Sequence, residues 1–299
     1  MGDLEGRVVA ITGAARGIGR AFVRGFLAEG SKVVAMDRSW EPSGFSGDTD
    51  DSYLKELQSR DDVLIAAADI TDDGQVQKAY DDTIAKFGTV DALINNAGVR
   101  QRDLFPPTGR TTLLQTDESH WERMFAVHVF GSLRVTRKFI QPMLEKNRGS
   151  IMSIVSSGAL HSSFGGAFKA FRPNSMEMPY QSAKAALLCW MFYLGDEIKG
   201  ENIAVNLMIP GHTRTTGFDE QNAARQVAGI GGARQGPAPM RPDHMVPLAT
   251  FLASKDANSG VTGKAFDAMT WNIEHGAGNA EFWADNEGVA ASEALAARA

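Results

Sequence analysis

The sequence predicts an α/β fold: one domain on a doubly wound parallel sheet of about seven strands, flanked by helices. Three observations carry this. Short β-branched runs alternate with amphipathic stretches along most of the chain, and such alternation builds parallel βαβ units with right-handed crossovers. A glycine-rich turn, Thr12 to Gly19, joins the first run to the first amphipathic stretch. The chain has 299 residues, 43% of them hydrophobic and 22% charged, which is enough to bury one large core. α/β folds run past roughly 250 residues as a single domain.

The elements follow in order. Val8 to Thr12 reads as a buried strand, and Ile18, Phe22, Phe26 and Leu27 then recur at helical spacing. Lys32 to Asp37 and Val63 to Asp69 are the second and third strands. Thr71, Asp72 and Asp73 supply an N-cap for a helix through Lys86. Val90 to Asn95 is the fourth strand, followed by a long helix from about Glu118 to Lys146. Ser150 to Val155, Ile203 to Ile209 and Lys264 to Asp267 complete the strands, with a helix at Glu177 to Lys199. No internal repeat is visible. The expected division is 1–270 for the sheet domain with its long loops, and 271–299 for a C-terminal extension.

The net charge of −6 argues against nucleic-acid binding by bulk charge. No run of 18 apolar residues is present, so no membrane span is expected. One cysteine, Cys189, leaves no internal disulfide and fits a reducing, cytoplasmic setting. His161, His212 and His275 stand apart, without ligand partners at useful spacing, so no metal is expected.

The turn Thr12-Gly13-Ala14-Ala15-Arg16-Gly17-Ile18-Gly19 is placed to cradle a phosphate. Its glycines let backbone approach a pyrophosphate lying on a helix N-terminus. Taken alone, a plain strand-to-helix turn explains it equally well. Asp37 shifts the balance. It ends the second strand eighteen residues after Gly19, where a carboxylate can accept from ribose hydroxyls. It would repel a 2′-phosphate by on the order of 4 kcal/mol at ~4 Å and a dielectric of ~20. NAD is therefore expected over NADP, although Arg16 and Arg38 stand close by to attract a phosphate.

Thr12-Gly13-x-x-x-Gly17-x-Gly19, Asn95-Asn96-Ala97-Gly98, Tyr180-Gln181-Ser182-Ala183-Lys184 and Pro210-Gly211-His212-Thr213-Arg214-Thr215 together resemble the short-chain dehydrogenase/reductase family. The resemblance runs from Leu4 to Asp267. It implies a Rossmann-type fold, with Asp69 and Ile70 at the adenine and Asn95, Asn96, Ala97 and Gly98 along the adenosine side. It also implies Pro210, Gly211, Thr213 and Thr215 at the nicotinamide, and a catalytic set of Ser156, Tyr180 and Lys184. It implies a homo-oligomer, commonly a tetramer, formed through the two long helices.

The chemistry of that set can be reasoned from its residues. Tyr180 and Lys184 are four apart and share a helix face. An ammonium beside a phenol favours the phenolate and should lower its pKa from about 10. Tyr180 then exchanges a proton with a substrate oxygen while carbon exchanges hydride with the cofactor. Ser156 positions that oxygen, and Lys184 also bonds the nicotinamide ribose. The expected activity is interconversion of a secondary alcohol and a ketone. Two alternatives stay open: a non-catalytic dinucleotide sensor, and an epimerase or dehydratase that oxidises transiently.

One position departs from the family. His128 stands where an asparagine usually relays protons to the lysine. It carries two readings: a relay, in which a neutral imidazole donates at one nitrogen and accepts at the other and could also titrate near neutrality, or a satisfied structural histidine. On the substrate side, Ser156 and Tyr180 lie 24 residues apart, a wider gap than in many relatives. The extra segment His161 to Met178, with Phe164, Phe168 and Phe171, joins Val99 to Thr116 and a Gly/Ala-rich lid, Thr216 to Met240, around the substrate mouth. Met176, Met178 and Met208 suggest an apolar pocket. Arg100, Arg102, Arg110, Lys169, Arg172, Arg214, Arg225 and Arg234 suggest an anionic substrate. Trp271, Phe282 and Trp283 are expected to cover the pocket or a neighbouring subunit.

Overall fold

The computed structural model describes residues 3–44, 48, 50–106, 109–159, 177–229 and 238–290, without the side chains of Arg225 and Gln226. Seven parallel strands form one sheet: β1 (Val8–Thr12), β2 (Lys32–Asp37), β3 (Val63–Ala67), β4 (Ala92–Asn95), β5 (Gly149–Ile154), β6 (Ile203–Ile209) and β7 (Lys264–Asp267). Their order is β3-β2-β1-β4-β5-β6-β7. This is the doubly wound architecture expected from the sequence. The winding reverses between β1 and β4, and a crevice opens beyond the carboxyl ends of strands at such a switch point.

The helices are α1 (Gly17–Ala28), α2 (Ser52–Gln58), α3 (Asp73–Phe87), α4 (Gln101–Leu104), α5 (Glu118–Phe125), α6 (Ser132–Phe139) and α7 (Gln141–Glu145). They continue with α8 (Tyr180–Glu197), α9 (Thr216–Val227), α10 (Val246–Ser254), α11 (Ala268–Glu274) and α12 (Ala280–Trp283). Central strands are buried on both faces, which is why they are mostly apolar rather than alternating, with Ser150, Ser153 and Asn206 buried among them. On one face Phe139, Leu187 and Met191 pack on Leu93 and Ile151. On the other, Phe22, Phe26, Leu248 and Leu252 pack on Ile11 and Ile94. Asp72 caps α3, accepting from the Gln75 amide.

Three expectations change. The helix expected over Glu118 to Lys146 is three helices, with a π-helical turn at Ala126–Gly131 between α5 and α6. The apolar rhythm persists through the wide turn, so the sequence does not reveal it. Strands β3 and β4 are each two residues shorter than expected, because Asp69 turns the chain by accepting from the Thr71 amide and because pairing with β1 starts at Ala92. The first half of the expected lid, Thr216 to Met240, is the helix α9. His161, Phe164, Phe168, Lys169, Phe171, Arg172, Met176 and Arg234 lie outside the described residues.

Candidate functional site

A cleft of about 460 Å³ opens at the switch point. Its first wall comes from the β1–α1 turn, where Gly13, Arg16, Gly17 and Ile18 line it. Gly13 has φ +68°, and a Cβ there would lie 2.8 Å from the Ala97 Cα. Gly19 does not reach the lining. A Cβ on it would sit 1.9 Å from the Gly13 carbonyl oxygen, so its role is to let α1 pack against the turn. Asn96 and Ala97 both donate their amides to Thr12 Oγ1 at 3.0 Å. Asn96 Nδ2 donates to the Thr12 carbonyl at 2.9 Å. Asn96, Ala97 and Gly98 line the cleft. Asn95 instead points into the interior, bonding Thr136 Oγ1 and Ser153 Oγ.

Asp37 lines the far end of the cleft with Arg38, Asp69 and Ile70. It accepts from the Ala15 amide at 3.0 Å and the Ser39 amide at 3.3 Å. Burial nevertheless pushes its carboxyl above the ordinary value, with the amide bonds and Arg16 opposing.

The opposite wall carries Tyr180, Lys184 and His128. Tyr180 opens α8. Gln101 seats it: Gln101 Oε1 accepts from the Tyr180 amide at 3.2 Å, and Gln101 Nε2 donates to the Met178 carbonyl. Lys184, one turn on and 4% exposed, donates to the Ile154 carbonyl at 2.7 Å. Its Nζ lies 5.9 Å from the centroid of the Tyr180 ring. Burial brings the amine down to about 7. Burial, and secondarily Glu177, pushes the Tyr180 phenol above its ordinary value. The lowering expected from Lys184 is not what the protein alone produces, because desolvation dominates. Ser156 is half-buried one residue past Val155. Ile154 and Val155 line the cleft, and Ser156 does not.

The π turn delivers His128 beneath this pair. Its ring meets the Tyr180 ring edge to face, centroids 5.4 Å apart. The Val99 carbonyl lies 2.8 Å from Nε2. The Val99 amide also donates to Nε2 at 3.2 Å, so the two Val99 contacts call for opposite tautomers. Nδ1 is buried without a hydrogen-bond partner. Burial, and next the Lys184 charge, lowers the imidazole to about 3. It is neutral at physiological pH, so the reading as a group titrating near neutrality does not hold.

Pro210 and Thr215 also line the cleft, with Thr216 and Gly217 of α9. Gly211 and Thr213 do not reach the lining. Thr213 instead pairs with Met240. Three of the eight basic residues expected to draw an anion are committed elsewhere. Arg100 pairs with Asp103 and Glu220, and Arg102 with Glu220. Arg214 pairs with Asp219 and Asp285. Met208 is core rather than pocket. Trp283 is buried, whereas Phe282 is exposed and Trp271 packs on Phe251.

Sequence reasoning missed Gln101, His244 and Asp285. His244 is wholly buried and faces the Pro210 carbonyl at 2.8 Å through Nε2. None of the three falls in a recurring pattern. Only the close spacing of Arg214 and Asp219 carried a weak signal. Among the described residues no group of His, Cys, Asp and Glu could hold a metal ion. No helix among them is long and apolar enough to cross a membrane.

A sequence model of the short chain dehydrogenase family matches residues 7–226. The chain is 43% identical over 286 residues to the fluoren-9-ol dehydrogenase of Terrabacter sp. (strain DBF63), covering 96% of this chain and 77% of that protein. It is 30% identical over 267 residues to a 3-oxoacyl-[acyl-carrier-protein] reductase of Thermotoga maritima, covering 87% and 95%. Among solved structures, the 3-ketoacyl-(acyl-carrier-protein) reductase of Brucella melitensis complexed with NADH aligns with a TM-score of 0.67 at 27% identity. That alignment covers 88% of this chain and 97% of the other.

Proposed function

The chain belongs to the short chain dehydrogenase family, and from that premise we propose that it interconverts a secondary alcohol and a ketone, with NAD as its dinucleotide. The observation that carries this reading is the Tyr180–Lys184 pair on the same cleft as the glycine turn and Asp37. The cleft fits a dinucleotide: Gly13 and Gly17 line it without side chains, both at positive φ, and Asp37 presents a carboxylate at the strand end. A bound nicotinamide dinucleotide supplies the acceptor or donor of hydride.

In this reading Gly13, Arg16, Gly17 and Ile18 hold the pyrophosphate, with Gly19 setting the helix behind them. Asp37 holds the adenosine ribose and excludes a 2′-phosphate. Asp69, Ile70, Asn96, Ala97 and Gly98 line the adenosine side, and Pro210, Gly211, Thr213 and Thr215 form the nicotinamide end. Tyr180 Oη takes the hydroxyl proton in oxidation and returns it in reduction. Its raised pKa keeps the phenol protonated in the protein alone, and the positive charge of an oxidised nicotinamide would favour the phenolate that oxidation needs. Lys184 is near half charge at neutrality, and negative charge placed in the cleft restores its proton. Ser156 orients the substrate oxygen. His128 acts on the proton path by hydrogen bonding rather than by charge.

The substrate we propose is a neutral alcohol on an apolar ring system. Two observations support this over an anionic one: the ion pairing of Arg100, Arg102 and Arg214, and the likeness to a fluoren-9-ol dehydrogenase. Phe130 and Tyr193, 56% and 72% exposed on the π turn and α8, support assembly into a homo-oligomer. The single Cys189 supports a cytoplasmic setting.

The test supplies NAD with fluoren-9-ol and follows NADH absorbance. Turnover is expected with NAD well ahead of NADP. Tyr180→Phe should lose on the order of a thousandfold in kcat, the scale of general acid–base catalysis, while still binding NADH. Wild-type activity surviving in Tyr180→Phe sinks the assignment. A sensor would bind NADH without turning over any alcohol, and an epimerase or dehydratase would leave free NAD unconsumed. Full kcat in His128→Ala from about pH 6 to about pH 9 removes His128 from the proton path.

A further inference from the structure

The turn that carries Pro210 to Thr215 has unusual surroundings. On its front is the cleft. Behind it lies a second cavity of about 670 Å³, bounded by Arg20, Ala21 and Gly25 of α1 and by Trp283 of α12. Gly17, Thr215 and Thr216 line both hollows. The turn is therefore a partition with open space on two sides. What holds the turn must come from beside these two hollows.

The C-terminal segment supplies it. Thr213 pairs with Met240 in parallel, and Met240 pairs with Ala284 in antiparallel fashion. The Arg214 amide donates to the Met240 carbonyl at 2.8 Å, and the Met240 amide donates to the His212 carbonyl at 2.8 Å. On the other side of this segment, the Arg241 amide donates to the Trp283 carbonyl and the Asp285 amide to the Pro239 carbonyl, both at 2.9 Å. Three chain segments thus form a small ladder from the turn to the tail.

A charge network locks the ladder. Arg214, 9% exposed, spends Nε and Nη2 on the two oxygens of Asp219 at 2.9 and 2.7 Å. It donates through Nη1 to Asp285 Oδ2 at 2.8 Å. A planar guanidinium bound along two edges has no freedom left to swing. Trp283 packs edge-on to His244, whose Nε2 faces the Pro210 carbonyl. The tail therefore reaches both ends of the turn.

We propose that the segment from Ala268 to Asp285 is a strap that holds the dinucleotide-facing turn, and that Arg214 and Asp285 are positioning residues of the cleft. This rests on the reading of the cleft as a dinucleotide site. It also revises what the tail is for: Trp283 and Asp285 brace their own chain's cofactor turn from behind.

The test measures NADH affinity directly, by nucleotide fluorescence, alongside thermal unfolding. Asp285→Asn keeps the side-chain shape and removes the charge. Its Kd should rise about tenfold, the scale of one lost charge-assisted hydrogen bond, while kcat at saturating dinucleotide falls by less than about threefold. Asp285→Glu should recover part of the affinity. Arg214→Lys, which keeps the charge and loses the fork, should weaken binding similarly. Glu287→Gln, on the exposed side of the same tail, should leave Kd unchanged. If Asp285→Asn and Arg214→Lys bind NADH as the wild type does, or only melt earlier with Kd unmoved, the strap is overturned and the dinucleotide reading stands. If the wild type itself binds no NADH, both fall together.

Discussion

Two of the cleft's walls, the glycine turn and the 210–217 segment, are held in place by different forces. The β1–α1 wall is fixed by backbone. Its glycines admit no Cβ, Thr12 Oγ1 anchors two successive amides, and Asn96 ties back to the Thr12 carbonyl. The wall formed by the 210–217 segment is fixed by side chains from remote parts of the chain: Asp285 on Arg214, Arg100 and Arg102 on Glu220, and His244 facing the Pro210 carbonyl. Steric fixation is short-ranged and indifferent to pH. Fixation by ion pairs depends on single partners, each removable on its own. The first wall thus suits a constant ligand part, and the second suits a part of the site that is adjusted between relatives.

The largest effect should follow from breaking the first wall. In Gly19→Ala the new methyl would meet the Gly13 carbonyl oxygen at 1.9 Å and Asn96 Nδ2 at 2.8 Å. The first of these contacts is with backbone and cannot be relieved by a rotamer change, so α1 must move off the turn. A stability loss of about 2–3 kcal/mol is expected, with NADH binding lost over the accessible concentration range. Urea unfolding and nucleotide fluorescence measure the two. Wild-type values for both would show that the turn yields, and that the distinction between the walls is wrong.

A smaller effect is carried by Lys184, on the wall opposite the glycine turn. Its folded-state pKa of about 7 lies below the ordinary 10.5. Between those values the unfolded chain holds more protons than the folded one, so stability rises with pH across that window. As pH falls through the folded value, both states are protonated and the gain is gone. The raised Tyr180 value acts in the opposite sense, but only above its ordinary 10. Urea unfolding at about pH 7 and about pH 9 should show the wild type gaining stability relative to Lys184→Met. Equal differences at both pH values would mean the amine is not buried as described.

The contrast between the walls also explains what could be read from the sequence. The glycine turn, Asp37 and Asn96 are local: each lies at a strand end whose apolar run marks it, so element and role were visible together. Tyr180 and Lys184 were legible as one helix face. Their pKa directions were not, because desolvation comes from residues such as Val99 and Ile154 that arrive from other strands and loops. The π turn at His128 leaves the apolar rhythm intact and so leaves no trace in it. The pairing within the second wall left no such mark. Arg100, Arg102 and Arg214 were visible as charge, while their partners Glu220, Asp219 and Asp285 become neighbours only after folding.

The smallest predicted effect tests whether the second wall is one unit or two. Asp219 and Glu220 are adjacent on α9 but serve opposite sides. Asp219 joins Arg214 and the tail, while Glu220 accepts from Arg100 at 2.5 Å and also from Arg102. Arg100 lines the cleft with Asp103 and Gly217. In Glu220→Gln the two guanidiniums lose their shared carboxylate but retain Asp103, at 2.8 Å from Arg100 and 3.7 Å from Arg102. Arg100 is also 43% exposed at its side chain, so solvent screens part of the loss. The cost should be about 1 kcal/mol, nearer a surface pair than a buried one. Steady-state kinetics should show KM for the alcohol raised about threefold with NADH affinity unchanged. An NADH Kd displaced as far as in Asp285→Asn would mean that α9 passes strain between its two latches. The wall would then respond as a single body, and the tail would govern substrate binding as well as the dinucleotide.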